Sequence, residues 1–112
     1  MDQTQLGSSP NSDADAGALM STLLWSLLDD FDRGFRRGEE LLSTCPDKVL
    51  SKQERGQLAQ RLREGKRAVA ATRALVDASS QPIAVSMEAM RPWHLLVTEV
   101  WQLSALLRKE TP

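Results

Sequence analysis

The chain has 112 residues, room for a single domain, and its 41% hydrophobic and 26% charged residues are the balance of an ordinary globular protein, which excludes a chain disordered throughout. A net charge of −1 excludes a nucleic-acid polyelectrolyte, and the single cysteine, Cys45, excludes an intrachain disulfide. No apolar run approaches the roughly 20 residues a membrane-spanning helix needs, and no basic segment followed by an apolar one opens the chain, so the expected location is cytoplasmic with no membrane span.

Residues 1–17 are rich in Ser, Asp, Gly, Gln and Pro, hold Asp2, Asp13 and Asp15 without a Lys or Arg, and are predicted to be a disordered acidic and polar tail. Residues 18–109 are then the domain. Large apolar residues at Met20, Leu24, Leu27, Phe31, Phe35 and Leu42, with Gly38 in the vacant place, step by four and three and predict a first helix over about 18–43. Leu23, Leu28 and Leu41 widen its stripe. "STCPD" ends the helix, because Pro46 lacks an amide and pushes Cys45 out of the helical region.

Ser51 and Glu54 have the spacing of a capping box, which predicts a second helix over about 51–78 with a seam of Leu58, Leu62, Gly65, Val69, Thr72 and Val76. That seam is thin, so the bulky side chains are expected to come from its neighbours. Pro92 suits the first position of a third helix, predicted over about 92–108, with Arg91 outside it and Arg108 and Lys109 near the negative end of its dipole. Short connections between three helices predict an all-α, up-down-up bundle. Gly34 and Gly38 are expected to permit a close helix crossing.

The third helix is apolar around much of its circumference. Besides the stripe Trp93, Leu96, Val100, Leu103 and Leu107, a second arc holds Met90, His94, Val97, Trp101 and Ala105. Either the helix lies centrally between the other two, or the second arc is a docking face, since a large apolar patch is seldom left in water. Trp25 lies off the stripe of the first helix and is either an interface anchor or a ring folded back over the bundle. Lys52, Arg55, Arg63, Lys66, Arg67 and Arg73 form a basic flank on the second helix, within a stretch from Asp47 to Arg73 that holds eight basic and three acidic residues. It lacks interleaved aromatics, so no nucleic-acid partner is expected.

His94 is the only histidine, and with one cysteine the spacings of a metal site are absent, so no metal or other cofactor is expected. A side-chain hydrogen bond at the rim of the core is the simplest role for it. The acids and arginines of "LLDDFDRGFRRGEE" read as solvated ion pairs, Asp29 with Arg33, Asp32 with Arg36 and Arg36 with Glu40, and no nucleophile and base stand together.

"LLDDFDRGFRRGEELL", "LSKQERGQLAQRL" and above all "MRPWHLLVTEVWQ" give the chain its resemblance to a cyanobacterial family of short helical proteins, domain of unknown function 2605, over about Leu23 to Arg108. The most specific match is Pro92, Trp93, His94, Leu96, Val97, Thr98, Glu99 and Trp101. The resemblance implies a small helical fold in a cyanobacterial cytosol and brings no activity or cofactor. The expectation is a non-enzymatic interaction protein, self-associating or an accessory or adaptor subunit, whose partner is another protein or a second copy. Trp25, Met90, His94, Trp101 and Ala105 are its candidate contacts. The alternative is a binder of a tetrapyrrole-type small molecule, with His94 as ligand between Trp93 and Trp101.

Overall fold

The computed structural model describes residues 10–79 and 85–110, with side chains from Ala16 onward. Three helices account for nearly all of them: α1 (Pro10–Ser43), α2 (Lys52–Ala78) and α3 (Met87–Glu110). No strand occurs among the described residues.

α1 starts well before the expected Ala18, so residues 10–17, predicted to belong to the tail, are helical here. Residues 1–9 of that tail lie outside the described residues. At its other end the helix tightens, with the amides of Thr44 and Cys45 donating to the carbonyls of Leu41 (3.4 Å) and Leu42 (3.3 Å) before Pro46 breaks the pattern. The turn closes with Val49 and Leu50 both donating to the Pro46 carbonyl. Cys45 is buried beneath it.

The predicted capping box opens α2: the Glu54 amide donates to Ser51 Oγ at 3.1 Å, and the Ser51 amide donates to Glu54 Oε1 at 2.9 Å. α3 corrects the reading of Pro92, which lies inside the helix in its second turn. Ser86 provides the cap, its Oγ accepting from the Ala89 amide at 3.0 Å and its carbonyl from the Met90 amide at 3.3 Å. The carbonyl that Pro92 leaves without an intrahelical donor belongs to Glu88, an exposed residue whose carbonyl is not forced to stay unsatisfied in a dry core, and Arg91 is helical.

Neighbouring pairs set the topology. Phe35 lies against Gly65 and Gly38 against Leu62, so α2 runs antiparallel to α1. Gly34 meets Val97, Gly38 meets Val100 and Phe31 meets His94, so α3 runs parallel to α1, completing up-down-up. α1 packs closely on both neighbours and α2 and α3 touch least, so the central helix is α1 and the option of a central α3 is overturned. The reason is local. A Cβ at Gly38 would lie 2.7 Å from Val100 Cγ2 and one at Gly34 3.2 Å from Val97 Cγ2, so the two glycines let α3 settle onto α1 as expected. Gly65 does the same for Phe35, which explains the thin seam of α2.

The core is Leu28, Phe31 and Phe35 of α1, Leu58, Leu62 and Val69 of α2, and Met90, Leu96, Val100 and Leu103 of α3, with Cys45 at one end. Ion pairs staple its margins: Lys66 to Glu39 at 2.7 Å, Arg61 Nη1 to Glu99 Oε1 at 2.9 Å, and Lys48 to Glu110 at 2.8 Å.

Candidate interaction surface

Because α3 leans on α1 alone along one side, the second arc of α3 divides. Met90, offered by the sequence as a contact residue, is 3% exposed and belongs to the core. Val97 is half-buried against Gly34. The rest of the arc forms the outer edge of α3: His94 and Trp101 are exposed and Ala105 half-buried, at spacings of two turns and one turn. Trp101, at 68% exposed, is not a core residue.

His94 departs from its expected role. Its ring meets Phe31 edge-on, with centroids 4.8 Å apart, and makes no hydrogen bond among the described residues. Thr98 Oγ1 donates to its backbone carbonyl at 2.9 Å. Phe31 also takes the edge of Trp93 at 5.5 Å and lies 6.2 Å from Phe35, so a row of aromatics runs from the core to the surface with His94 at its outer end. Trp93 borders a groove of about 270 Å³ between α2 and α3, with Gly65, Ala68 and Leu96 in its walls, whereas Trp101 stands in solvent two turns away from that groove. Of the tetrapyrrole residues Trp93, His94 and Trp101, only Trp93 borders this groove among the described residues.

Trp25 takes the folded-back option. It is half-buried, and the Arg73 guanidinium lies over its ring at 4.3 Å from the centroid. Together they border a shallow groove with Asp32, Arg36, Val69 and Asp77. Arg36 donates to Asp32 at 2.7 Å, and this bond raises the Arg36 pKa.

The basic flank is likewise divided. Arg55 donates to the Leu50 carbonyl at 2.7 Å and pairs with Asp47, Lys66 is held by Glu39, and Arg73 covers Trp25. Only Lys52, Arg63 and Arg67 face solvent with no partner among the described residues. The arginine-rich run of α1 is paired: Arg33 with Asp29 and Asp30, Arg36 with Asp32, and Arg37 with Glu40, where Arg36 had been expected. Arg61, absent from the sequence-based sites, bridges to Glu99 of α3, and that hydrogen bond raises its pKa. Among the described residues no three of the His, Cys, Asp and Glu side chains are grouped to hold a metal ion, and no helix is long and apolar enough to cross a membrane.

The sequence reading missed a second apolar surface. Leu19 (59%), Met20 (61%) and Leu23 (55%) of α1 and Met87 (70%) of α3 are exposed at the end of the bundle where α2 finishes. Their spacing matches that of the buried positions further along α1; the missing signal was where α2 and α3 stop. Leu75, Leu95 and Leu106 are exposed singly.

Comparison with known proteins finds no curated protein and no solved structure that matches. A family model does match, over residues 14–109, nearly the whole chain and all three helices. The chain belongs to the family described as protein of unknown function DUF2605.

Proposed function

We propose that this protein is a non-enzymatic helical interaction protein, an accessory subunit that docks on another protein through the outer edge of α3. The supporting observation is Trp101, 68% exposed in the middle of a long, well-packed helix. A tryptophan held rigidly and left in water is the side chain that most often anchors an interface, where its large apolar area is buried at little entropic cost. His94 and Ala105 flank it on the same edge. The expected setting is the cytosol of a cyanobacterium, and the partner is a protein, because Arg55 and Lys66 of the basic flank that might attract nucleic acid are paired with carboxylates and Arg73 is held over Trp25.

The test is affinity purification of tagged wild-type and Trp101→Ala proteins from a native cyanobacterial lysate, with circular dichroism and an absorption spectrum on each product. A defined protein that co-purifies with the wild type and is lost from a normally folded Trp101→Ala variant supports the reading. Retention of that protein by the variant removes Trp101 from the interface. A coloured product without a protein partner replaces the reading with a tetrapyrrole-type binder, and His94→Ala would then abolish the colour.

A further inference from the structure

α2 separates its charges by face. Of its seven basic and three acidic residues, Arg61 bridges to Glu99 on the side that turns toward α3, and Glu64 borders the groove on that same side. Glu54 is engaged in the cap, and Asp77 lies in the last turn. The opposite side carries a single helical stripe. Lys52, Gly56, Ala59, Arg63, Arg67 and Ala70 follow one another in steps of four and three, over about 27 Å at roughly 1.5 Å per residue.

Charge and relief both mark this stripe as a binding surface. Lys52, Arg63 and Arg67 are exposed and have no carboxylate partner among the described residues, whereas Arg55 and Lys66 beside them are held by Asp47 and Glu39. No acid interrupts the stripe, so its positive potential is not cancelled locally. Only glycine and alanine stand between the cations, and a Cβ added at Gly56 would meet nothing within 4 Å. A second backbone can therefore approach closely while the long basic side chains reach up beside it. Toward the end of α2 the stripe opens into the groove of about 350 Å³ between α1 and α2, where Ala70 and Ala74 form a wall with Trp25 and Arg73. The Arg73 guanidinium is fixed 4.3 Å over Trp25 and has no carboxylate partner among the described residues, so its donors are positioned in advance.

We infer that the outer stripe of α2 binds an acidic helix of a partner protein, whose carboxylates one turn apart meet Arg63 and Arg67 while others reach Lys52 and Arg73. Arg63 and Arg67 stand about 6 Å apart along the axis, one helical turn, the repeat at which a helix presents Glu or Asp on one face. Other anions fit the surface less well. A phosphate needs donors that converge on one point, and Lys52 lies about 16 Å from Arg63 along the helix. Single-stranded nucleic acid calls for exposed aromatics among the cations, and the stripe has none. A membrane surface calls for large apolar side chains beside the cations, and here alanine and glycine take their places. The inference goes beyond the docking edge proposed above, since this stripe faces away from α3 and gives the protein a second contact surface of different chemistry.

Fluorescence anisotropy of the full chain with a labelled Glu- and Ala-rich helical peptide of about 20 residues, its Glu side chains on one face, reads the outcome. Micromolar binding is expected, weakening at least about tenfold as salt rises from about 50 to 200 mM, because exposed charges are screened beyond a Debye length. Arg63→Glu combined with Arg67→Glu should weaken the complex at least about 30-fold, whereas Arg91→Glu, which reverses an exposed charge of α3, should leave it unchanged. Should circular dichroism show the double variant misfolded, Arg63→Ala with Arg67→Ala, which keeps helix propensity high, decides with an expected loss of about tenfold. A peptide of the same composition interrupted by proline should bind at least about tenfold more weakly, and equal binding overturns the helical occupant. Absence of binding at about 1 mM peptide overturns the inference, as does binding that both double variants leave intact. Tighter binding to single-stranded RNA or to phosphatidylserine vesicles than to the peptide, lost in the same variants, overturns it by giving the stripe to that ligand.

Discussion

The two ends of the bundle are built from one helix and one sequence period, yet they differ in almost every physical respect. Toward Cys45, α1 presents Phe35 and Gly38 to residues of both neighbours, Leu62 and Val100 close over Gly38, and three ion pairs staple the margins. At the other end Met20 and Leu23 recur with the same helical spacing and are more than half exposed, because α2 and α3 have already ended. Amphipathic periodicity thus states which face of a helix seeks a partner and leaves open whether the chain provides one.

Substitutions at the two ends should separate this difference by size. The largest loss is expected at the closed end: Phe35→Ala, which empties the fully buried contact between α1 and Gly65, should lower the unfolding free energy by about 3 to 5 kcal/mol in urea titration. Gly38→Ala should come next. Its methyl would stand 2.7 Å from Val100 Cγ2 and 3.0 Å from Leu62 Cδ1, and this crowding should outweigh the gain in helix propensity to leave a net loss of about 1 to 2 kcal/mol. Gly56→Ala is the matched control. Nothing lies within 4 Å of its added methyl, so the same change on α2 should stabilise by about 0.5 to 1 kcal/mol.

The cap of α2 offers a smaller test with a defined pH dependence. Ser51→Ala should cost about 1 kcal/mol of thermal stability. The Glu54 carboxylate is held below its ordinary pKa, first by the Ser51 amide that donates to it and then by the Ser51 side chain. A carboxylate with a depressed pKa adds stability above its unfolded pKa and loses it as pH falls through the folded one. Melting temperature should therefore drop on acidification below the normal glutamate range, and Glu54→Gln should flatten that part of the profile. The smallest effect on folding belongs to the open surfaces: Trp101→Ala and Leu23→Ser should change monomer stability by no more than about 0.5 kcal/mol, while Trp101→Ala abolishes association with the partner protein. A loss of several kcal/mol at Leu23 would erase the contrast between the ends.

Much of this architecture was legible before any coordinates. The three helices, the stop at Pro46, the capping box at Ser51 and the close crossing at Gly34 and Gly38 follow from spacing and from local backbone chemistry, interactions among residues a few positions apart. At Pro92 two local signals compete, the bias of a proline toward the first turn and the cap supplied by Ser86, and the cap, which lies further upstream, sets the start of α3. Met90 and Trp101 belong to one arc on α3, but the angle at which α1 meets that arc buries the first and leaves the second exposed. The sequence allows Trp25 to be either an anchor or a folded-back ring, and Arg73, 48 positions away, decides for the second by lying over its face.

What this sequence determined alone is the number, kind and polarity of its helices, because hydrophobic period, caps and breakers act within a few residues along the chain. Only the tertiary structure decided that α1 is the central helix, that His94 ends an aromatic row in place of a hydrogen bond, and that the apolar stripe of α1 outruns its partners. Those outcomes depend on how far one helix reaches past another and on which face meets it, and contacts between residues tens of positions apart set both.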